Sequence, residues 1–434
     1  MRERMGRPVD AAGLSALRMM LGLLFTVSAL RYLSRDWVGP LLSDPSFHFR
    51  YAGLAWVPVP SEAGITALLV VVAISGLGVA AGLAYRLCAV ALLISFTWIE
   101  LIEVTTYLNH YYLMSLLAAL LLLLPLHRHA SLDVKLGWVA PRTHHPSWIL
   151  LLLRGQIVLV YLFAGIAKLN PDWLGMGEPL HTWLRTREDL RAISPWFAAR
   201  STAIAMSWAG ALYDLTIPLW LLWRPTRALA WLAVVVFHVC TALLFPIGVF
   251  PWLMIIVSTV FWDPDWPRRL AGAAKATPPA PAPAPSSALW LVGVWMAIQV
   301  LVPLRSWVYP GTVRWHEQGF RFSWRVMLIE KTGLVEYRLV ERDGERRWRV
   351  SPGAELTPLQ HQEMRTQPDL IAQYARHLAD RWAAEQGADV AVYVDAWASL
   401  DGRPAQVLID PAVDLSARRL PAGWIRPLET EGVP

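Results

Sequence analysis

SWILLLLRGQIVLVYLFAGIAKLNPDW, residues 147–173, is the stretch on which the fold turns. Between Ser147 and Lys168 its only charged or amide side chains are Arg154, Gln156 and Lys168 itself. A helix over that run, at ~1.5 Å per residue, is long enough to cross the ~30 Å hydrocarbon core of a bilayer. Asn170-Pro171-Asp172 then supplies residues that cannot continue a helix. One such run makes a membrane helix; its neighbours make a bundle. Similar runs lie at 11–33, 62–84, 87–105, 108–126, 203–223, 226–245, 248–262 and 287–305. The reading is therefore a polytopic α-helical membrane bundle of about nine spans over residues 1–306, followed by a small α+β soluble domain over 307–434.

Composition agrees with two environments in one chain. Of 434 residues 55% are hydrophobic and only 17% charged, with 24 Trp. The net charge of +6 is scattered through short loops, with no basic tract of the kind that binds nucleic acid. With the N-terminus in the cytoplasm, Arg2, Arg4, Arg7, Arg86, Arg128, Lys135, Arg142, Arg224, Arg227, Arg268, Arg269 and Lys275 all fall on the cytoplasmic side. An odd number of spans then puts the C-terminal domain outside the cytoplasm. The first apolar run has no small-residue cleavage site, so it reads as a retained span. The only cysteines, Cys88 and Cys240, lie inside apolar runs and read as packing residues. Ala274–Ser287 is a Pro/Ala run expected to be an extended, flexible linker. The aromatic loops at 34–60 and 169–202 suit the membrane interface.

In the C-terminal part, FRFSWRVMLIE (320–330), LVEYRLVER (334–342) and RRWRVSP (346–352) alternate as strands do, with turn signals at Thr332-Gly333 and Asp343-Gly344. Residues 355–386 read as a helix pair opening at Thr357-Pro358, and AVYVDAWASL (391–400) as a final strand, followed by a turn at Asp401-Gly402-Arg403 and by AQVLIDP (405–411). No P-loop, GxGxxG or GxSxG is present.

Ionisable groups in apolar spans are expensive and mark cavities, partners or pathways. Glu100, Glu103, His110, Arg154, Lys168, Asp214 and His238 are such groups. Lys168 reads either as an interfacial snorkelling lysine or as an amine kept neutral by an apolar site, a usable base. His110, beside Asn109, reads either as a packing histidine or as part of the same polar site. Arg154 lies fourteen residues before Lys168, so the two sit about 20 Å apart, at opposite ends of one helix. Asp214 and His238 could pair with each other or with Arg154 in a polar network. No HxxxH or HExxH spacing suggests a metal.

Several blocks carry a family likeness: LRGQIVLVYLFAGIAKLNPDW (153–173), YLNHYYLMSLLA (107–118), FHVCTALLFPIGVFPWLM (237–254), YVDAWASLDGRPAQVLIDPAVDL (393–415) and GWIRPL (423–428). Together they resemble the vitamin K-dependent gamma-carboxylases and their bacterial relatives with a horizontally transferred transmembrane domain. The resemblance implies carboxylation of protein glutamate, coupled to epoxidation of reduced vitamin K or menaquinol by O2, with CO2 as co-substrate. It implies Lys168 as the base that deprotonates the hydroquinone, His110 as the group that stabilises the carbanion or the incoming CO2, and Asn109 as a donor beside it. Arg154 and Gln156 match the family's RGQ and, with Asp214, His238 and Glu103, are expected in a polar network. The partners implied are a membrane lipid quinone and a glutamate-containing protein or peptide, with no nucleic acid; the place is a bacterial inner membrane. The sequence departs from the animal enzymes where Ile329 and Lys331 stand in place of a His and an Arg, and in ending soon after Leu428. Two other classes remain beside this one: a quinone epoxidase that carboxylates no protein, and a non-catalytic quinone-binding membrane protein. A transporter is disfavoured because no internal repeat or paired broken spans are visible.

Overall fold

The computed structural model describes residues 1–193 and 195–429; the last five residues of the expected C-terminal domain lie outside the described residues. Apolar runs bounded by Gly, Pro and polar residues become helices at all nine expected stretches. They are α1 (Ala12–Ser34), α2 (Glu62–Ala81), α3 (Tyr85–Ile102), α4 (Asn109–Leu123) and α5 (Ser147–Ala167). After a short α6 (Leu180–Thr186) come α7 (Arg200–Leu222), α8 (Arg227–Leu244), α9 (Phe250–Ser258) and α10 (Ser286–Leu304). Length and apolarity do not confirm the count of nine. Among the described residues six helices are long and apolar enough to cross a membrane: α1, α2, α3, α5, α8 and α10 with its 3-10 extension to Val308. Helices α4 and α9 are too short, and α7 is long but more polar.

Small residues let the first helices touch backbone to backbone. A Cβ on Gly22 would lie 2.5 Å from the Gly76 carbonyl oxygen, and Thr26 Oγ1 donates to the Ala73 carbonyl at 2.9 Å. Helix ends inside the bundle leave carbonyls without partners, and buried arginines take them. Arg18 donates to Val79 O, Ala80 O and Ala130 O, at 2.7–2.9 Å. Arg154 donates to Val260 O, Phe261 O and Trp262 O, closing the end of α9 and its 3-10 turn.

The two ends of the bundle differ. One carries the N-terminus, the two-stranded pairing of β1 (Pro8–Asp10) with β2 (His144–Pro146), and basic residues around Asp10 and Asp263. There the Pro/Ala run is not simply loose: Ala284 N donates to Arg2 O and Arg2 Nε to Ala284 O, each at 3.0 Å. The other end carries the soluble domain. Cys240 faces outward from its helix, so it is not a packing residue.

In the soluble domain the antiparallel sheet runs β4 (Arg347–Val350), β3 (Lys331–Glu341), β5 (Val390–Leu400), β6 (Gln406–Val407). Helices α11 (Pro358–Met364) and α12 (Pro368–Gln386) confirm the expected pair, and Thr357 with Gln360 forms a capping box. Leu370, Ile371, Tyr374 and Leu378 of α12 bury against Tyr337, Leu339, Val392 and Val394 of the sheet. Two strand expectations fail. Thr332-Gly333 lies inside β3, paired with Ser399 and Ala398, and is no turn. Residues 320–330 form no strand, because Phe322, Trp324 and Met327 all have φ of 52–62° and break the alternation.

The bundle and the domain share a core. Phe49 and Tyr51 from the loop after α1, and Val104 after α3, belong to the apolar cluster of the soluble domain. Glu103, expected within a span, instead sits just past the end of α3 at the junction. It is fully buried and accepts from Phe49 N (3.3 Å), Thr105 N (3.1 Å), Thr105 Oγ1 (3.0 Å) and Gln360 Nε2 (2.8 Å), with His48 Nδ1 at 3.3 Å. Replacing Glu103 by Leu strands these donors, at about 3 kcal/mol. Glu103→Leu should lower the melting temperature in detergent and open the 34–61 loop to limited proteolysis; an unchanged melt and digest would contradict the junction.

Candidate active site

Lys168 is the residue that caps α5, and its surroundings follow from four neighbours. Pro171 stops the helix, while the Asn170 side chain closes the turn by accepting from Trp173 N at 3.0 Å and donating to Ala167 O at 3.0 Å. Trp173 then folds back, its indole N–H donating to Ser207 O at 2.8 Å and its ring lying 5.3 Å from the Lys168 ammonium. Gly165 lets α7 come close, since a Cβ there would lie 2.8 Å from the Leu215 side chain and 3.0 Å from Leu215 N. That approach sets Asp214 against Lys168, with Nζ donating to Oδ2 at 2.7 Å and to Ala164 O at 3.3 Å. Both side chains are buried. The expected solitary amine is thus one half of an ion pair.

His238 does not meet Asp214, and neither meets Arg154. His238 Nε2 is 3.2 Å from the Tyr161 hydroxyl, which in turn is 3.5 Å from the Tyr213 hydroxyl, and Tyr213 stacks on Phe237. Arg154 is occupied at the far end of α5 with the carbonyls already described. Gln156 joins α5 to α10, through Gln299 Oε1 at 3.3 Å and the Trp295 indole at 2.8 Å. So the expected polar network is three separate clusters: Lys168–Asp214, Tyr161–His238–Tyr213, and Gln156–Gln299–Trp295. Lys168, Asp214, Tyr161 and His238 of the first two line a common cavity, of about 110 Å³, with Trp173, Met206, Phe237, Phe245 and Met254.

A second cavity, of about 630 Å³, lies at the domain boundary and is lined by His110, Asn109, Tyr107, Arg31 and Glu363 among others. His110 is the second residue of α4, buried, with its Nε2 lacking a partner. Asn109 is not free to act beside it: its amide accepts from the Tyr107 hydroxyl at 3.1 Å and donates to Arg325 O at 3.2 Å, clasping the 320–330 segment. Ile247, Phe250, Val326 and Met327 line both cavities. Phe250 stands between the two histidines, its ring centroid 5.9 Å from His110 and 5.6 Å from His238. Lys168 and His110 therefore occupy adjoining chambers separated by a partition of apolar side chains.

The loop after Lys168 is tied to the soluble domain by charge. Asp172 accepts from Arg314 and Arg403, and Arg314 also donates to Asp401 at 2.7 Å. Burial pushes the Asp172 carboxyl up, but the hydrogen bonds of Arg403 and Arg314 outweigh it and hold it below the usual range. Burial wins at Asp401, raised to about 6.

Sequence reasoning named Lys168, His110 and Asp214 but missed Trp173, Tyr161, Val326, Met327, Arg31 and Glu363. Trp173 had a signal in the NPDW turn. Glu363 had none, since it comes from α11, far away in the chain.

The chain belongs to the HTTM domain family, which it matches over residues 6–266. Residues 285–431 match the lumenal domain of vitamin K-dependent gamma-carboxylase, and the two domains in this order are those of a gamma-carboxylase family member. No solved structure matches the chain.

Glu363 gives the larger chamber a pH dependence. Burial, reinforced by Glu317 and opposed by Arg321, Gln367 and Arg365, raises its carboxyl from 4.5 to about 7. The folded protein therefore binds this proton more tightly than the unfolded chain, and stability falls as pH rises from about 4.5 to about 7. Glu363→Gln should be more stable than the wild type at pH 8, by up to about 3 kcal/mol, with the gap closing toward pH 4.5. Melting curves across that range check it; parallel profiles would contradict it.

Proposed function

We propose that this protein is a membrane enzyme that carboxylates protein glutamate to gamma-carboxyglutamate while epoxidising reduced vitamin K or menaquinol. The observation that carries the reading is the buried Lys168–Asp214 pair in an aromatic-walled cavity adjoining the chamber of His110. The site's residues fit a naphthoquinone in character: apolar and aromatic walls with one proton-exchanging pair. In size the fit needs both chambers, since about 110 Å³ is below the ~300 Å³ of typical small-molecule sites, while the adjoining space holds about 630 Å³. Met206, Met254 and Met327 are the adaptable parts of the wall.

A reduced naphthoquinone supplies, through its oxidation by O2, the driving force for removing a carbon-bound γ-proton, which no side-chain amine can do directly. Lys168 accepts the hydroxyl proton of the hydroquinone. A proton passed between Nζ and Oδ2 leaves a neutral amine beside a neutral acid, so the pair can become a base without changing the net charge of the cavity. Trp173 and Tyr161 confine the lysine and exclude water. His110, with Nε2 unpartnered, is placed to donate to the carbanion or to steady CO2. Asn109 acts through position, holding the 320–330 segment as the partition. The setting is a bacterial inner membrane, with the soluble domain extracytoplasmic and available to a glutamate-bearing protein. The helices too short or too polar to qualify as spans complete the bundle of nine.

One observation favours the narrower reading, quinone epoxidation without protein carboxylation. Ile329 is apolar, and Lys331 is occupied by Glu317 at 3.0 Å and the Trp315 carbonyl at 2.6 Å. Neither offers a cation to a substrate carboxylate.

Membranes containing the protein, given reduced menaquinone or vitamin K and O2, should form the epoxide, and Lys168→Ala should reduce the rate by at least about a hundredfold. Chromatography of the quinones reads this, and absence of epoxide from the wild type would overturn the proposal. Incorporation of labelled CO2 into an added glutamyl peptide separates the full reaction from the narrower one.

A further inference from the structure

Arg325 is a half-buried cation with no counter-ion among the described residues. It follows Trp324, which is fully buried, and its own carbonyl is held by Asn109, so its backbone cannot swing away. Its Nη2 donates to Ser306 Oγ at 3.2 Å, while its Nε is shielded from solvent and has no partner. Among the described residues no carboxylate forms an ion pair with it; the charge that acts on it is another cation, Arg314. Burial, with Arg314 adding to it, lowers the guanidinium to about 10, still charged at neutral pH. The contrast with its neighbour is direct, because Arg314 has both Asp172 and Asp401. A half-buried guanidinium with an unsatisfied donor is destabilising unless an anion joins it.

Arg325 faces a cavity of about 460 Å³ between the end of α6, the loop after α8 and the 320–329 segment. The walls of that cavity are otherwise mostly apolar; Thr186 is bonded to the Trp183 carbonyl, and Arg187 is already committed to Asp189 and the Leu244 carbonyl. Leu244, Phe245, Ile247 and Met327 line it together with the Lys168 cavity. An anion held by Arg325 therefore has its attached carbon chain beside the reaction chamber. The planar fork of a guanidinium matches the two oxygens of a carboxylate.

We propose that the cavity at Arg325 is the docking site for an acidic side chain of a peptide substrate, with Arg325 binding its carboxylate. The inference rests on the carboxylase reading for its biological meaning and supplies the cation that Ile329 and Lys331 do not. Arg325 also borders a second cavity, beside the exposed Trp307 and the end of α5, where a lipid phosphate is the competing anion.

The test is binding, not turnover. The full-length protein in phosphatidylcholine nanodiscs is titrated with a fluorescent peptide carrying one Glu, and with the same peptide carrying Gln. Anisotropy should show the Glu peptide bound about tenfold more tightly or better. Arg325→Gln should erase the difference, and Arg325→Lys should keep part of it. A wild type that does not discriminate, or an Arg325→Gln variant that discriminates as before, overturns the proposal. So does an Arg325→Gln variant that loses only affinity for phosphatidylglycerol, which would assign the site to lipid. The near-UV circular dichroism and melting temperature of both variants distinguish lost binding from lost folding. Lys168→Ala should still discriminate, so a protein that makes no epoxide yet prefers the Glu peptide keeps this site while rejecting the catalytic reading.

Discussion

An ammonium group in a hydrocarbon setting must have a partner, and the 2.7 Å contact between Lys168 and Asp214 is the interaction around which the site is arranged. Helices α5 and α7 can make it only because Gly165 removes the side chain that would hold them apart. The turn beyond Lys168 is then free to lay Trp173 over the pair and to carry Asp172 to the soluble domain. Two arginines of that domain, Arg314 and Arg403, hold Asp172. A single buried pair thus couples the membrane helices, the loop after them and the domain above.

The same electrostatic rule explains the other buried charges. Arg18 and Arg154, conspicuous as charges in apolar helices, each satisfy carbonyls that a helix end would leave bare. Glu103 gathers donors from three segments at the junction. Arg325 differs from these three in having, among the described residues, neither a carboxylate nor a backbone carbonyl for its guanidinium, only the Ser306 hydroxyl. Its guanidinium lines a cavity, which is where a ligand anion can reach it.

The cavities themselves are products of docking. Residues 320–330 could have continued as a strand, but three residues at positive φ fold the segment over the end of the bundle, where Val326 and Met327 become walls of the chambers. Asn109 and Tyr107 fasten it there, with the Tyr107 hydroxyl accepting from Phe322 N at 2.8 Å. Backbone strain of this kind persists only where surrounding contacts determine it, and it sits here between the two residues expected to do chemistry.

Hydrophobic runs and their breakers were enough to place every major helix of the bundle, the helix pair and the β5 strand, because burial in lipid or against a sheet imposes a period that local sequence must obey. Sequence also singled out Lys168, His110, Asn109 and Asp214, since an ionisable or amide group in an apolar run is conspicuous wherever it ends up. Partnership was another matter. That Asp214 meets Lys168 and not His238, that Asn109 is a clasp, and that Arg154 is a cap depend on which helix faces which, and no local pattern encodes that. The shape of α4 and α9, too short to span, and the bend at 322–327 likewise follow from contacts with distant segments. Sequence determined which residues could carry charge into the membrane; only the tertiary structure decided which charges cancel and which, like that of Arg325, are left without a carboxylate among the described residues.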